Sequence, residues 1–227
     1  MHIAITGKES SIAALVAGLS SGVNITKIDA NHIPQSSLSQ FDAVIDTDIE
    51  SRPSRLVHYA SQNGPLYFLG FCNTRLEALC LEQGVSPHSG FIGMCNFPGM
   101  LERKVLELCD PFGADRALAS EVVRCLGFDH AEWVHSRVGF VSPRIICMII
   151  NEAYYTVQEG TASREDVDQA MKLGTNYPKG PFEWCREAGI KSVYRLLEAM
   201  YEDTQEERYK ICPLLKTEFL RSAQEPD

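Results

Sequence analysis

Residues 151–184 constrain the fold more than any other part of the chain, because short helical stretches alternate there with residues that stop or start helices. Gly160 predicts the end of a first helix, and Ser163, with an acidic residue three places later, predicts the cap of a second. Gly174 predicts the left-handed residue that closes this second helix, and Pro181 suits the first position of a third. We therefore expect a small helical domain in this half of the chain.

Strand and helix signals alternate before this segment, with short connections between them. The pattern predicts strands at residues 3–6, 25–28, 43–46, 66–71, 91–94, 104–108 and 132–135. It predicts helices at residues 10–19, from Ser51 to about residue 62, from a capping box of Thr74 and Glu77 to Gly84, and at residues 114–126. Such alternation is typical of a mainly parallel sheet that is covered on both faces.

The strand signals stop after Gly139, and Ser142 with Pro143 is a plausible cap and first turn for an apolar helix that reaches residue 159. Further helices are expected at residues 191–201 and 213–221. We therefore predict an α/β, Rossmann-like N-terminal domain at residues 1–137 and an all-α C-terminal domain at residues 138–227.

Charge and cysteine usage exclude several functional classes. The net charge of −9 argues against nucleic acid and anionic membrane as partners, although simple solubility is the plainer meaning of that charge. The eight cysteines are scattered and form no C-x-x-C pair, so neither a metal site nor a redox motif is indicated. Buried free thiols, together with an N-terminus that lacks a secretory apolar region, predict a cytoplasmic protein.

The turn after the first strand is the place where a dinucleotide fold keeps its G-x-G-x-x-G motif. Gly7 retains the first glycine, whereas Glu9 and Ile12 stand where the second and third glycines belong. A carboxylate at position 9 adds bulk and repulsion toward a pyrophosphate, which Lys8 would offset in part. Asp29 follows the second strand, where an acidic group binds the ribose hydroxyls, but it is also explained as a strand-end acid without a ligand. NAD is therefore a candidate cofactor whose binding motif is damaged.

The chain resembles the 3-hydroxyacyl-CoA dehydrogenase family over nearly its whole length, most closely from Gly139 to Leu215. The matching motifs are Asn-Glu-Ala at residues 151–153, Ala-Ser-Arg-Glu-Asp-Val-Asp at 162–168, Ala-Met-Lys-Leu-Gly at 170–174 and Gly-Pro-Phe-Glu at 180–183. The resemblance implies a Rossmann-type domain, a helical domain that makes a homodimer, and NAD-dependent oxidation of the 3-hydroxyl of an acyl-CoA.

The catalytic pattern of that family is altered here. The family's His and Glu pair, in which His takes the hydroxyl proton and Glu orients it, falls on Cys95 and Glu107. Lys104 also matches, whereas two asparagines of the family's pattern become Pro98 and Pro143. Cys95 is then either a replacement base or nucleophile, or a buried strand-end thiol, which is the ordinary behaviour of a free cysteine.

The positions that correspond to the family's substrate-binding residues are altered as well. The family segment that supplies a hydroxyl near the substrate corresponds to Asn73 and Thr74, one residue shorter. A long helical excursion that helps to bind CoA is missing between residues 46 and 66, so the first domain is truncated. His88 and His135 could approach the site, although lone histidines of this kind are more often structural or solvated.

Two functions remain open from the sequence. One is a divergent NAD-dependent oxidoreductase acting on 3-hydroxyacyl-CoA or a related hydroxy acid, with impaired or altered activity. The other is a non-catalytic dimeric homologue that acts as a scaffold or a small-ligand binder. A third, weaker hypothesis is a new thiol chemistry at Cys95. The apolar helix that contains Ile145 and Ile149 is either core alone or the surface of a homodimer.

Overall fold

The computed structural model describes residues 1–30, 38–62 and 64–222. It divides into two compact units, Met1–Phe140 and Val141–Asp227, which we call the sheet unit and the helical unit. The division falls three residues beyond the boundary predicted from the sequence. None of the helices in the described ranges is long and apolar enough to cross a membrane.

The described part of the sheet unit contains seven strands and four α-helices. The strands are β1 His2–Thr6, β2 Asn24–Lys27, β3 Ala43–Asp46, β4 Leu66–Phe71, β5 Phe91–Cys95, β6 Val105–Cys109 and β7 His130–Val134. The helices are α1 Glu9–Ala17, α2 Arg55–Ala60, α3 Leu76–Glu82 and α4 Arg116–Cys125, with a short 3₁₀ turn at Leu38–Gln40.

The strands form one sheet in the order β2-β1-β3-β4-β5-β6-β7. Neighbouring strands are parallel except β5 and β6, which are antiparallel. The predicted α/β class with a mainly parallel sheet is therefore confirmed. All residues of β3, β4 and β5 are buried, as expected for strands covered on both faces.

The two faces of the sheet hold different cores. One face carries the aliphatic side chains of β1, β3, β4, β5 and β6, which pack with Leu15 of α1 and Val122 of α4. The other face carries Tyr67, whose ring lies 5.0 Å from that of Tyr59 in α2. Burying each large apolar side chain of this kind contributes roughly 1.5–3 kcal/mol, so both helix layers hold the sheet in place.

The helical unit contains five α-helices among its described residues. They are α5 Ser142–Gln158, α6 Arg164–Thr175, α7 Pro181–Ala188, α8 Ile190–Thr204 and α9 Pro213–Ser222, with a 3₁₀ turn at Glu207–Tyr209. The predicted cap is confirmed, because the Ser163 hydroxyl accepts a hydrogen bond from the Asp166 N–H. Pro181 begins α7, also as predicted. Buried Asn151 ties α5 to the segment before α9, since its amide bonds Lys210 O and Cys212 N at 2.9 Å each.

Four predicted helix ends are wrong. Gly174 lies inside α6, and the left-handed closing residue is Asn176, with φ 57°, a conformation that asparagine adopts more readily than most residues. Arg75, not Thr74, is the N-cap of α3, and no side chain caps this helix. Ser142 is the first residue of α5 and Val141 its N-cap. Helix α2 begins at Arg55 instead of Ser51, because residues 47–52 form turns in which Arg52 N–H donates to Asp48 O.

Candidate functional site

The turn after β1 lies at the point where the strand order reverses, since β1 has β2 on one side and β3 on the other. In open parallel sheets, ligands bind in the crevice at this edge. Gly7 has φ 119°, and a Cβ there would lie 2.3 Å from Thr47 Oγ1 and 2.9 Å from Asp48 N. The turn between β1 and α1 therefore presses against the residues that follow β3, which only glycine permits.

A protein group already satisfies one backbone donor of this turn. The Lys8 N–H donates to Thr47 Oγ1 at 2.9 Å, so it is not directed at a ligand. The carboxylate of Glu9 pairs with Lys27 Nζ at 2.8 Å, and both side chains are exposed. Ile12 is only 4% exposed and fills the core where a third glycine would stand.

A buried ion pair lies at the end of β3. Both oxygens of Asp46 accept from Arg55 Nη1 at 2.9 Å, and one also accepts from the Tyr59 hydroxyl at 2.8 Å. Burial, and then the charge of Asp46, raise the pKa of Tyr59 well above its usual value. Arg55 also bonds Ala30 O, so this network fixes the chain just beyond exposed Asp29.

Two further carboxylates follow Asp46 within four residues. Asp48 is 9% exposed, lies 3.8 Å from Lys8 Nζ and 3.4 Å from Arg52 Nε, and its Oδ1 makes no hydrogen bond within the described residues. Glu50 accepts from the backbone N–H of Asn73 at 2.6 Å and from its side-chain amide at 3.1 Å. Burial raises the pKa of Glu50, although the bonds from Asn73 and the charge of Lys8 oppose the shift.

These contacts do not fit the pyrophosphate of a dinucleotide held in the usual way. A pyrophosphate needs free backbone N–H groups and positive potential, whereas here the Lys8 N–H is bonded to Thr47 and the nearby cations are paired with carboxylates. The predicted pair Gly7 and Asp29 is present at its expected strand ends, but no unpaired positive charge lies beside Gly7 among the described residues.

Cys95 and Glu107 are brought to neighbouring strands. The antiparallel register pairs Gly93 with Cys109 and Met94 with Leu108, and its continuation sets Cys95 opposite Glu107 on one face of the sheet. Cys95 is 1% exposed, while Glu107 is half-buried and has bonding partners of its own. The position assigned to the proton acceptor thus holds a buried thiol.

A second thiol lies on the same face. A Cβ at Gly93 would come within 2.4 Å of Cys109 Sγ, so the glycine makes room for this side chain. Burial raises the pKa of Cys109 to about 12, and the Ser136 hydroxyl, which bonds Glu77, partly opposes the shift. This cluster contains no imidazole, and its thiol is far from ionised at neutral pH.

The other sequence-predicted residues are not gathered around this pair. The amide of Asn73 is occupied by Glu50, and Thr74 is half-buried beside it. His88 lies before β5, at the sheet edge opposite to Cys95, where Gly90 N–H donates to its Nδ1 at 3.0 Å. His135 follows β7, whose end lies at that same opposite edge. The suggestion that these histidines approach Cys95 is therefore wrong.

Sequence reasoning missed the acidic group at the end of β3. Its signal was the run Asp-Thr-Asp-Ile-Glu at residues 46–50, which follows a fully apolar strand and places three carboxylates at a strand end. Among the described residues, no three His, Cys, Asp or Glu side chains lie close enough to hold a metal ion. The acidic group is neutralised by Lys8, Arg52 and Arg55 instead.

The fold and this edge of the sheet define a class, that of Rossmann-type proteins with a helical C-terminal unit. A sequence profile of the 3-hydroxyacyl-CoA dehydrogenase C-terminal domain matches residues 139–223. The match is confined to the helical unit, which therefore resembles the C-terminal domain of 3-hydroxyacyl-CoA dehydrogenases.

Known proteins of the same name resemble part of the chain. The chain is 45% identical over 82 residues to 3-hydroxyadipyl-CoA dehydrogenase of Escherichia coli K12, which covers 36% of this chain and 17% of that protein. It is 40% identical over 78 residues to a probable 3-hydroxybutyryl-CoA dehydrogenase of Bacillus subtilis 168, covering 34% of this chain and 27% of that protein. The matched segment thus spans less than a third of either relative.

The fold extends beyond that segment. The crystal structure of (S)-3-hydroxybutyryl-CoA dehydrogenase from Ralstonia eutropha superposes with a TM-score of 0.79 and covers 98% of this chain and 94% of that one. Sequence identity is 21%, so this likeness concerns the fold alone.

Proposed function

We propose that the protein is a dehydrogenase-like binding protein that does not catalyse NAD-dependent hydride transfer in the manner of its family. The observation that carries this proposal is the turn after β1, where Lys8 N–H is bonded to Thr47, the Asp48 backbone lies against Gly7, and the Asp48 carboxylate lies 3.8 Å from Lys8 Nζ. Its proposed partners are a second copy of the chain and a small-molecule ligand, with acyl-CoA as one candidate.

The position of Cys95 supports the same proposal. A positioned general base typically contributes about 10²–10⁴-fold to a rate, and a buried thiol does not replace imidazole in this role at neutral pH. Glu107, which would orient a histidine, has other partners here.

Titration with NADH, followed by calorimetry and by thermal unfolding, tests this proposal. A dehydrogenase with a Kd one hundredth of the ligand concentration would gain about 2.7 kcal/mol. For a protein of this size that gain raises Tm by roughly 5–11 °C. We expect a change below 1 °C at millimolar NADH, and a shift in the larger range would overturn the proposal.

A second candidate, an oxidoreductase with altered chemistry, is favoured by the shared face of Cys95 and Glu107. It is tested by turnover of 3-hydroxybutyryl-CoA with NAD and by the Glu107→Gln variant. Turnover that exceeds background and falls at least tenfold in the variant would establish this candidate. Rates at background level for both proteins would support the binding protein.

We also propose that the helical unit forms a homodimer. Four large apolar side chains of this unit are exposed among its described residues, Val141 at 45%, Ile145 at 53%, Leu173 at 77% and Leu220 at 52%. Because Ile145 is more than half exposed, burial within one chain does not explain all of the apolar residues of α5.

Sedimentation at micromolar concentration should give a dimer, and Ile145→Lys should give a monomer. Leu81→Lys, at an 82% exposed position in the sheet unit, is the matched control. A monomeric wild-type protein would contradict the proposal.

A further inference from the structure

The helical unit contains a cleft that is separate from the sheet edge described above. Its volume is about 390 Å³, within the range of about 300–1,000 Å³ that is typical of small-ligand pockets. The lining side chains that matter here are Arg164, Arg186, Arg221, Glu218, Phe182 and Ile190. Three guanidinium groups around one cleft are unexpected in a chain with a net charge of −9.

One of these arginines is fixed in place by its surroundings. Arg164 forms an ion pair with Glu218, and its guanidinium lies 5.4 Å from the ring centroid of Tyr154 and 5.2 Å from that of Phe182. The Tyr154 hydroxyl donates to the other oxygen of Glu218 at 2.9 Å. Both oxygens of Glu218 are thus occupied, and its charge is neutralised within the wall of the cleft.

The remaining charges leave the cleft positive. Arg186 lies 3.6 Å from the carboxylate of Asp168, whose other oxygen accepts from Phe182 N–H at 2.7 Å. Arg221 makes no hydrogen bond or ion pair within the described residues. Three guanidinium groups and two carboxylates therefore give one net positive charge, which suits a monoanion better than a phosphate dianion.

The cleft has an open entrance and one accessible apolar side chain. Phe182 and Cys185 form its floor but are only 2% and 5% exposed, whereas Ile190 is half-buried and partly accessible. A Cβ built at Gly189 would meet no atom within 4 Å, so the space in front of α8 is open. A ligand with a short apolar body can lie against Ile190 and direct its charged end at Arg221.

We propose that this cleft binds a small organic monocarboxylate, with the carboxylate at Arg221 and Arg186 and the apolar chain against Ile190. The planar guanidinium groups match the two oxygens of a carboxylate. The site lies wholly in the helical unit and does not depend on the function proposed for the sheet unit. Weak affinity that falls with salt is expected, because Arg186 and Arg221 are exposed.

Sodium hexanoate, followed by NMR chemical shifts of the backbone amides, tests this site in the whole chain. We expect saturable shifts at Gly189, Ile190 and Arg186. Hexanamide, which has the same shape without the charge, should bind at least tenfold more weakly, since a hydrogen bond to a charged group contributes about 1.5–3 kcal/mol. Equal binding of the acid and the amide would overturn the proposal.

Two variants and one competing ion complete the test. Arg221→Gln should weaken hexanoate binding about tenfold or more. Arg124→Gln, at an exposed position in the sheet unit, should leave it unchanged. Inorganic phosphate should bind more weakly than hexanoate. Tighter binding of phosphate, or unchanged hexanoate affinity in Arg221→Gln, would show that the cleft is not a monocarboxylate site.

Discussion

At the scale of single residues, Gly7 combines a positive φ with a close approach of two backbone segments. Gly7→Ala should destabilise the sheet unit by roughly 3 kcal/mol, of which about 1–2 reflects backbone strain and the rest overpacking against Thr47 Oγ1. Chemical denaturation measures the effect. Gly22→Ala separates the two terms, because Gly22 has φ 87° but no atom within 4 Å of a built Cβ. Equal losses in both variants would show that the contact with Thr47 costs nothing.

Asp46 is a fully buried charge that depends on its partner. Arg55→Ala leaves this carboxylate without the guanidinium nitrogen that bonds both of its oxygens, so we expect a loss of about 3–5 kcal/mol in the free energy of unfolding. Lys27→Ala removes an exposed pair with Glu9 at 2.8 Å in the same unit and should cost about 0–1 kcal/mol. Losses of similar size would mean that the Asp46 pair is as well solvated as a surface pair.

Glu50 gives the sheet unit a pH dependence whose sign follows from its raised pKa. Below the unfolded value of 4.5 both states are protonated, and as pH rises the unfolded chain loses its proton first. Ionisation therefore favours the unfolded state, and the stability contributed by protonated Glu50 is lost as pH rises through the raised folded pKa. Glu50→Gln should thus become more stable relative to wild type between pH 4 and pH 7. Glu82→Gln, at an exposed position, is the control. Its change in unfolding free energy between pH 4 and pH 7 is subtracted from that of Glu50→Gln, and a remaining difference of the opposite sign would contradict the raised pKa.

At the scale of elements, the helix caps show where the sequence prediction agrees with the structure and where it differs. Asp115 caps α4 by accepting from Ala117 N and Leu118 N at 3.0 Å each, so Asp115→Ala should cost about 1 kcal/mol. Thr74 has the right spacing to Glu77 for a capping box but is not the N-cap of α3. Thr74→Ala should therefore change stability by less than about 0.5 kcal/mol in the same denaturation assay. A loss equal to that of Asp115→Ala would indicate that Thr74 caps α3, as the sequence predicted.

Strands and helices were predictable where local signals and packing agree. The predicted bounds of β3 and β4 match the structure, because their apolar runs are buried on both faces and end at polar residues. Helix ends failed where a nonlocal contact intervened. Glu77 accepts from Ser136, distant in sequence, instead of completing a capping box with Thr74. Asn176, not Gly174, takes the left-handed position, and a propensity argument that favours glycine does not anticipate this.

At the scale of the whole molecule, the candidate site was predictable in its positions but not in its contacts. The dinucleotide motif identified Gly7, family resemblance identified Cys95 and Glu107, and the strand register brings the last two to one face. The segment that carries the acids at the end of β3 lies against Gly7, because β1 pairs with β3, which is far from it in sequence. The effect of these acids on the turn could not be predicted from the sequence, because it depends on which cations neutralise them in the folded chain.

Thiol reactivity tests the molecule as a whole, because the described structure contains eight free cysteines, and seven of them are buried. Partly exposed Cys125 should alkylate first in the native protein at pH 8, whereas Cys95 and Cys109 should react only after unfolding. The pKa of about 12 at Cys109 leaves roughly one thiolate in 10⁴ at that pH, about a thousandfold below a group at 9. Mass spectrometry of peptides from native and urea-unfolded protein locates each label. Rapid, selective labelling of Cys95 in the folded chain would contradict its burial at 1% exposure and would favour a thiol chemistry at the position of the family's histidine.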